Sequence, residues 1–135
     1  MPSEQDHAAL AAHNQDTIDY LLNAGEKFAD WVVTVAFYRA VHLVDAMLDH
    51  IDGAHGVDHA HRSDLLRANR SYANVLMHYN ALKEASTIAR YLSDRRGSRS
   101  FKTFSDYCKP NRVKPDFVDG RLNELRKSID RLMKK

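Results

Sequence analysis

Tyr38, His42 and Asp45 are separated by steps of four and three, the spacing that places side chains on one face of a helix. Their neighbours are apolar, so they form a polar strip on an otherwise greasy segment. An imidazole held by a carboxylate can act as general base or acid near neutral pH, and the Tyr38 hydroxyl can donate to a phosphate or to another helix. Read structurally, the same strip is a buried hydrogen-bonded network that fixes helix register, because buried polar groups need partners. Both readings stand at this point.

A second strip runs from Tyr79 to Arg90, eleven residues apart and therefore almost three whole turns of one helix, with Lys83 and Ser86 between them. The Arg90 guanidinium suits a phosphate, or the charge that develops in phosphodiester cleavage. Its structural alternative is a pair with a core carboxylate such as Asp45 or Asp30.

His55, His59 and His61 crowd a connection together with Asp58, and imidazoles with carboxylates suit zinc. Their spacing fits no zinc signature. Residues 59 and 61 point about 200° apart on a helix, so no metal is expected. The alternative sends His59 and Arg62 toward the His42 region. Further on, residues 94–114 carry Arg95, Arg96, Arg99, Lys102, Lys109, Arg112 and Lys114, interleaved with Phe101, Phe104 and Tyr107. Cations attract phosphates and exposed aromatics stack on single-stranded bases, which describes a nucleic-acid clamp. A linker whose aromatics fold back onto the protein has the same composition.

These side chains need helices to position them. From about Glu4 to Ala24, Leu10, Asn14, Thr17, Ile18, Leu21 and Leu22 recur at helical spacing, and Gly25 follows as a stop. From about Glu26 to Ile51, Val33, Phe37, Ala40, Val44, Leu48 and Ile51 mark the central helix. Gly53 and Gly56 break the pattern, and Asp58 is placed to cap a short third helix reaching about Asn69. His78, Ala81, Ala85, Ile88 and Leu92 mark a fourth helix from Tyr72. Residues 94–114 show no sustained period, and Pro115 is placed to open a last helix through Val118, Leu122, Leu125, Ile129 and Leu132. Gly120 weakens that helix by about 1 kcal/mol relative to Ala.

The 135 residues suit one domain. With 44% hydrophobic residues spread along the chain, only five Gly and only three Pro, the architecture expected is an all-α, up-and-down bundle of four to five helices. A formal net charge of +2 does not announce a nucleic-acid binder, so any such function rests on where the charges lie. Cys108 is the single cysteine and no basic-then-apolar leader opens the chain, which together suggest a reducing, cytoplasmic setting. No apolar run is expected to reach membrane-spanning length.

The run Asp30-Trp31-Val32-Val33-Thr34-Val35-Ala36-Phe37-Tyr38-Arg39-Ala40-Val41-His42, followed by His55, His59 and Arg62, then Tyr79-Asn80-Ala81-Leu82 and Ala89-Arg90-Tyr91, resembles the HEPN (higher eukaryote and prokaryote nucleotide-binding) superfamily over roughly residues 7 to 92. The resemblance implies a helical, commonly dimeric domain in a group of RNA-cleaving toxins, defence ribonucleases and silent partners of nucleotidyltransferases. The superfamily's ribonuclease signature, an Arg followed after four to six residues by a His, is not met here. Arg90 is followed by Tyr91 and no histidine, Arg70 and His78 are separated by seven residues, and Arg39 and His42 by two. The expectation is therefore a homodimeric, non-catalytic module that binds nucleic acid or a protein such as a nucleotidyltransferase. Its alternative is a metal-independent endoribonuclease at a homodimer groove, using His42 as base with Arg90 and Arg62 stabilising the phosphorane. Tyr38, Asp45, His59, Tyr79, Arg95, Arg96 and Arg99 would then contact substrate, with no cofactor.

Overall fold

The computed structural model describes residues 2–94 and 96–134, and these fold as an all-α bundle. The first helix, α1 (Glu4–Leu22), opens on a capping box: Ser3 Oγ accepts from the Asp6 amide at 3.1 Å, and the Asp6 carboxylate accepts from the Ser3 amide at 2.9 Å. These bonds hold the Asp6 carboxyl below its ordinary value. Its buried strip is His7, Ala11 and Ile18, whereas Leu10 is 43% exposed. The expected core position of Leu10 is thus corrected: the helix turns its alanine and histidine inward, and these small or flat groups let its neighbour approach.

That neighbour is α2 (Ala29–Asp52), which packs against α1, α4 (Ala73–Tyr91) and the C-terminal helix, and so occupies the centre. Contacts of Glu4 with His50, His7 with His42 and Ala11 with Arg39 descend one helix as they climb the other, so α1 and α2 are antiparallel. Val33, Ala36, Phe37, Ala40, Val44, Met47 and Leu48 of α2 are fully enclosed. Contrary to the sequence expectation, this helix is long and apolar enough to cross a membrane by length and composition, but 67% of the relevant window is buried inside the fold. Gly53 closes α2 in the left-handed conformation (φ +62°), its amide donating to the Asp49 carbonyl, as a helix C-terminus requires.

The short α3 (His59–Arg67) begins where Asp58 caps it, its carboxylate accepting from the His61 amide at 2.7 Å. After α4 the chain reverses at Leu92, a non-glycine residue at φ +57°. A turn over residues 96–98 follows, flanked by an antiparallel bridge between Ser93 and Ser100 and by Asp94 accepting from both the amide and hydroxyl of Ser98. Then come α5 (Phe104–Tyr107), α6 (Pro110–Val113), a π-helical segment (Lys114–Leu122) and α7 (Asn123–Met133), the last three running as one rod.

Two expectations about this region need correction. The expected long basic loop contains two short helices, and its aromatics take the fold-back alternative: Phe104 is buried, and the half-buried Phe101 and Tyr107 pack edge to face (5.5 Å between centroids) on the core. The last helix starts at Pro110, not Pro115. Proline has no N–H to give to the preceding turn and its ring crowds that turn's carbonyl, so Pro115 lies in the widened π-helical stretch that accommodates such a defect. Gly120 is what makes the wide turn fit, because a Cβ there would stand 2.9 Å from the Pro115 carbonyl oxygen. Val118, Leu122, Leu125 and Ile129 form the buried seam as expected.

Candidate functional site

The site grows from a charge placed where the fold ought not to hold one. Asp45, on the inward side of α2, is 4% exposed, and an isolated carboxylate there would be strongly disfavoured. Arg62 of α3, 5% exposed, resolves this with a two-pronged contact: Nε to Oδ1 at 2.8 Å and NH2 to Oδ2 at 3.0 Å. The planar fork matches a carboxylate at both oxygens. The remaining N–H groups are used as well. NH1 donates to His59 Nδ1 at 3.2 Å and to the Tyr79 hydroxyl at 3.5 Å, and NH2 to the Gly56 carbonyl at 3.4 Å. Burial alone would lower the Arg62 pKa, but the hydrogen bonds and charges of Asp45 and Tyr79 carry it above the ordinary value.

Gly56 belongs to this network for a steric reason. A Cβ at this position would meet Arg62 Cβ at 2.9 Å, Nε at 3.0 Å and Cζ at 3.1 Å, so only glycine lets the loop lie on the guanidinium. His59 packs against Phe37 with the rings tilted at 57° and 5.1 Å between centroids. Burial, followed by the positive charges of Arg62, Lys83 and Arg90, lowers its pKa. The imidazole is therefore neutral near pH 7, as accepting an Arg62 proton at Nδ1 demands.

His42 faces a different way. Its Nδ1 lies 3.1 Å from His7 Nδ1, a contact in which only one ring can donate. Burial, then the nearby His7, push its pKa down, while Asp45 opposes the shift. His55 turns its Nε2 to Asp49 at 3.3 Å, and His61 Nδ1 accepts from the Val57 amide at 3.1 Å. The histidines that crowd together in sequence thus serve three separate neighbourhoods. Among the described residues, no group of three or more His, Cys, Asp or Glu side chains could hold a metal ion.

Arg90 is exposed at the end of α4, donating from Nε to the Ser86 carbonyl (3.2 Å) and from NH1 to the Tyr38 hydroxyl (3.4 Å), with its Cζ 5.2 Å from the Tyr91 ring centre. The pairing considered for it with Asp45 is not made, because Arg62 occupies that carboxylate. Trp31, 56% exposed, borders the same small pocket as Arg90, beside Asp30 and Thr34, and Tyr91 is 68% exposed. Arg90 has no ion pair among the described residues.

The structure therefore divides the candidate residues into layers. Asp45, Arg62 and Tyr79 are interior, His59 and His42 are half-buried, and Tyr38 and Arg90 reach the surface. Arg96 lines a groove of about 810 Å³ between α3 and α4 with Arg67 and Lys83, where Asp64, Glu84 and Asp94 supply the opposite charge. Arg99 lies 3.9 Å from Glu84 and over the rings of Phe101 and Tyr107. Arg112 and Lys114 pair with Asp116 and Asp119, so the basic stretch is partly neutralised within the chain. Arg95 lies outside the described residues. Sequence reasoning missed His7, because the periodicity of the first helix drew attention to Leu10, and missed Gly56 as a packing requirement rather than a turn. A comparison with known proteins returns no match: no family model, no curated protein and no solved structure matches this chain.

Proposed function

We propose that this chain is a HEPN-like up-and-down helical protein that binds single-stranded RNA without cleaving it, acting as a homodimer in an RNA-linked, cytoplasmic setting. The observation that supports this most is the exposed cluster of Trp31, Tyr38, Arg90 and Tyr91, in which one guanidinium lies over the Tyr91 ring and donates to the Tyr38 hydroxyl while a neighbouring indole remains accessible. Aromatic faces accept bases of any sequence and a guanidinium holds the backbone between them. Arg62, by contrast, is committed to Asp45, Tyr79, His59 and Gly56. It has no fork left to offer a phosphorane.

Fluorescence anisotropy with a labelled single-stranded RNA of mixed sequence tests the reading. Trp31→Ala and Arg90→Ala should each weaken binding by about 5- to 100-fold, the range of a lost base stack or its cation. Unchanged affinity in both variants contradicts it.

A second reading, the metal-independent endoribonuclease, draws on one observation: His42 is half-buried within the field of the Asp45–Arg62 pair, and Arg90 is exposed. With His42 as base, cleavage of mixed RNA in chelator should occur and should be lost in folded His42→Ala and Arg90→Ala proteins. Intact RNA under the same conditions rules this reading out. Docking onto a nucleotidyltransferase remains the protein-binding form of the first reading, and co-purification distinguishes it from RNA binding.

A further inference from the structure

We infer that the pocket beside Trp31 selects guanine, the Asp30 carboxylate accepting from the edge of the base while the Trp31 indole stacks on its face. The inference rests on the proposed binding of single-stranded RNA and names the base which that binding prefers. The pocket encloses about 160 Å³ and is lined by Asp30, Trp31, Thr34, Ala89 and Arg90. Drug-sized sites begin at about 300 Å³, so this one suits a single base and not a length of strand. Thr34 and Ala89 are small, and Trp31, 56% exposed, supplies the broad ring on which a base can lie.

Stacking alone would take any base. Asp30 changes this, because a carboxylate on a surface that receives a polyanion repels phosphates and lowers affinity unless donors meet it. Asp30 is half-buried in the first turn of α2, where it also complements the helix dipole. Its Oδ1 accepts from the Trp31 amide at 2.9 Å, and it makes no ion pair among the described residues, although Arg90 lines the same pocket. An ionised carboxylate has about four lone-pair sites, so both oxygens can still accept. Guanine alone among the RNA bases carries two neighbouring N–H donors, N1–H and N2–H, on its Watson–Crick edge, and these match the two oxygens of one carboxylate as a guanidinium fork does. Adenine and cytosine set one amino donor beside a ring-nitrogen acceptor, and uracil sets its N3–H between two carbonyls, so each brings a lone pair against Asp30. Arg90 uses Nε on the Ser86 carbonyl and NH1 on the Tyr38 hydroxyl, and its further N–H groups serve the adjoining phosphate.

The test measures the affinity of the full chain for labelled oligouridine and for the same strand carrying a single guanine, adenine or cytosine, with guanosine and adenosine monophosphates titrated separately by calorimetry. The guanine strand should bind about 5- to 150-fold more tightly than the others, the worth of one two-pronged base contact, and guanosine monophosphate should bind more tightly than adenosine monophosphate. Asp30→Asn keeps an acceptor for the Trp31 amide and turns the other oxygen into a donor. It should abolish the guanine preference, with oligouridine affinity unchanged or raised and melting unchanged, whereas a helix-dipole role alone would leave the preference intact. Equal affinity of the wild type for all four strands overturns the inference and leaves RNA binding standing, as does a guanine preference that survives in folded Asp30→Asn. Guanosine monophosphate bound selectively without any RNA binding sustains the pocket and overturns the RNA reading. Binding of neither strand nor nucleotide overturns both.

Discussion

The guanidinium of Arg62 forks onto both oxygens of Asp45 inside the bundle, at 2.8 and 3.0 Å, with the two side chains 7% and 5% exposed. This contact joins α3 to α2 and decides which candidate residues are structural. Removing one partner leaves the other charge buried, which costs about 3–5 kcal/mol. Asp45→Asn and Arg62→Met should each lower stability by that order in urea unfolding. The double variant Asp45→Leu/Arg62→Met should recover a large part of the loss, because no uncompensated charge remains.

Gly56→Ala should be destabilising by about 1–3 kcal/mol, as an overpacked contact is, since the new methyl would meet Arg62 at 2.9 Å. Gly120→Ala makes a sharper case. Intrinsic propensity favours alanine in a helix by about 1 kcal/mol, yet here its Cβ would stand 2.9 Å from the Pro115 carbonyl oxygen. Thermal unfolding should show Gly120→Ala melting below the wild type, and a higher Tm would contradict the π-helical account.

His59 gives a pH dependence of definite sign. Burial and then the Arg62, Lys83 and Arg90 charges lower its folded pKa below the ordinary value of 6.5. The unfolded chain then binds more protons, so the stability His59 contributes is present above pH 6.5 and is lost as pH falls through the folded pKa. Tm measured across this acid range should fall less steeply in His59→Gln. Tyr72 acts at the other end. Burial, then its 2.9 Å hydrogen bond to Asp52, push its pKa up to about 12. The protonated phenol is favoured in the folded state, so stability should decline as pH rises from the ordinary value of 10.0 through about 12, and less so in Tyr72→Phe.

RNA affinity should fall with salt, because cations that contact phosphates release counterions on binding. Arg90→Ala should reduce the slope of log affinity against log salt by about 1, whereas Trp31→Ala should weaken binding with the slope unchanged. Equal slopes in the wild type and Arg90→Ala would remove Arg90 from the phosphate contacts.

The helical architecture was legible because periodicity is local. The Val33–Phe37–Ala40–Val44–Leu48 stripe and the Asp58 cap both follow from spacing along one segment. The partner of a charge is not local. Asp45 lies on the same chain stretch as His42, but nothing in that stretch tells whether Arg62 or Arg90 reaches it, since this depends on how α3 crosses α2. His7 escaped notice because an inward histidine on an alanine-rich helix breaks the apolar pattern. The aromatics of residues 94–114 had no period to show that they fold back, and the contribution of Gly120 depends on a carbonyl five residues away in a turn that only Pro115 makes wide.

The most direct test of the account is a single incubation of purified wild-type protein with labelled single-stranded RNA in chelator, read both for bound fraction and for fragment length. The account predicts a retarded complex containing full-length RNA, weakened by Arg90→Ala in a protein whose melting is unchanged. Shortened RNA, or no complex at any protein concentration, would contradict it.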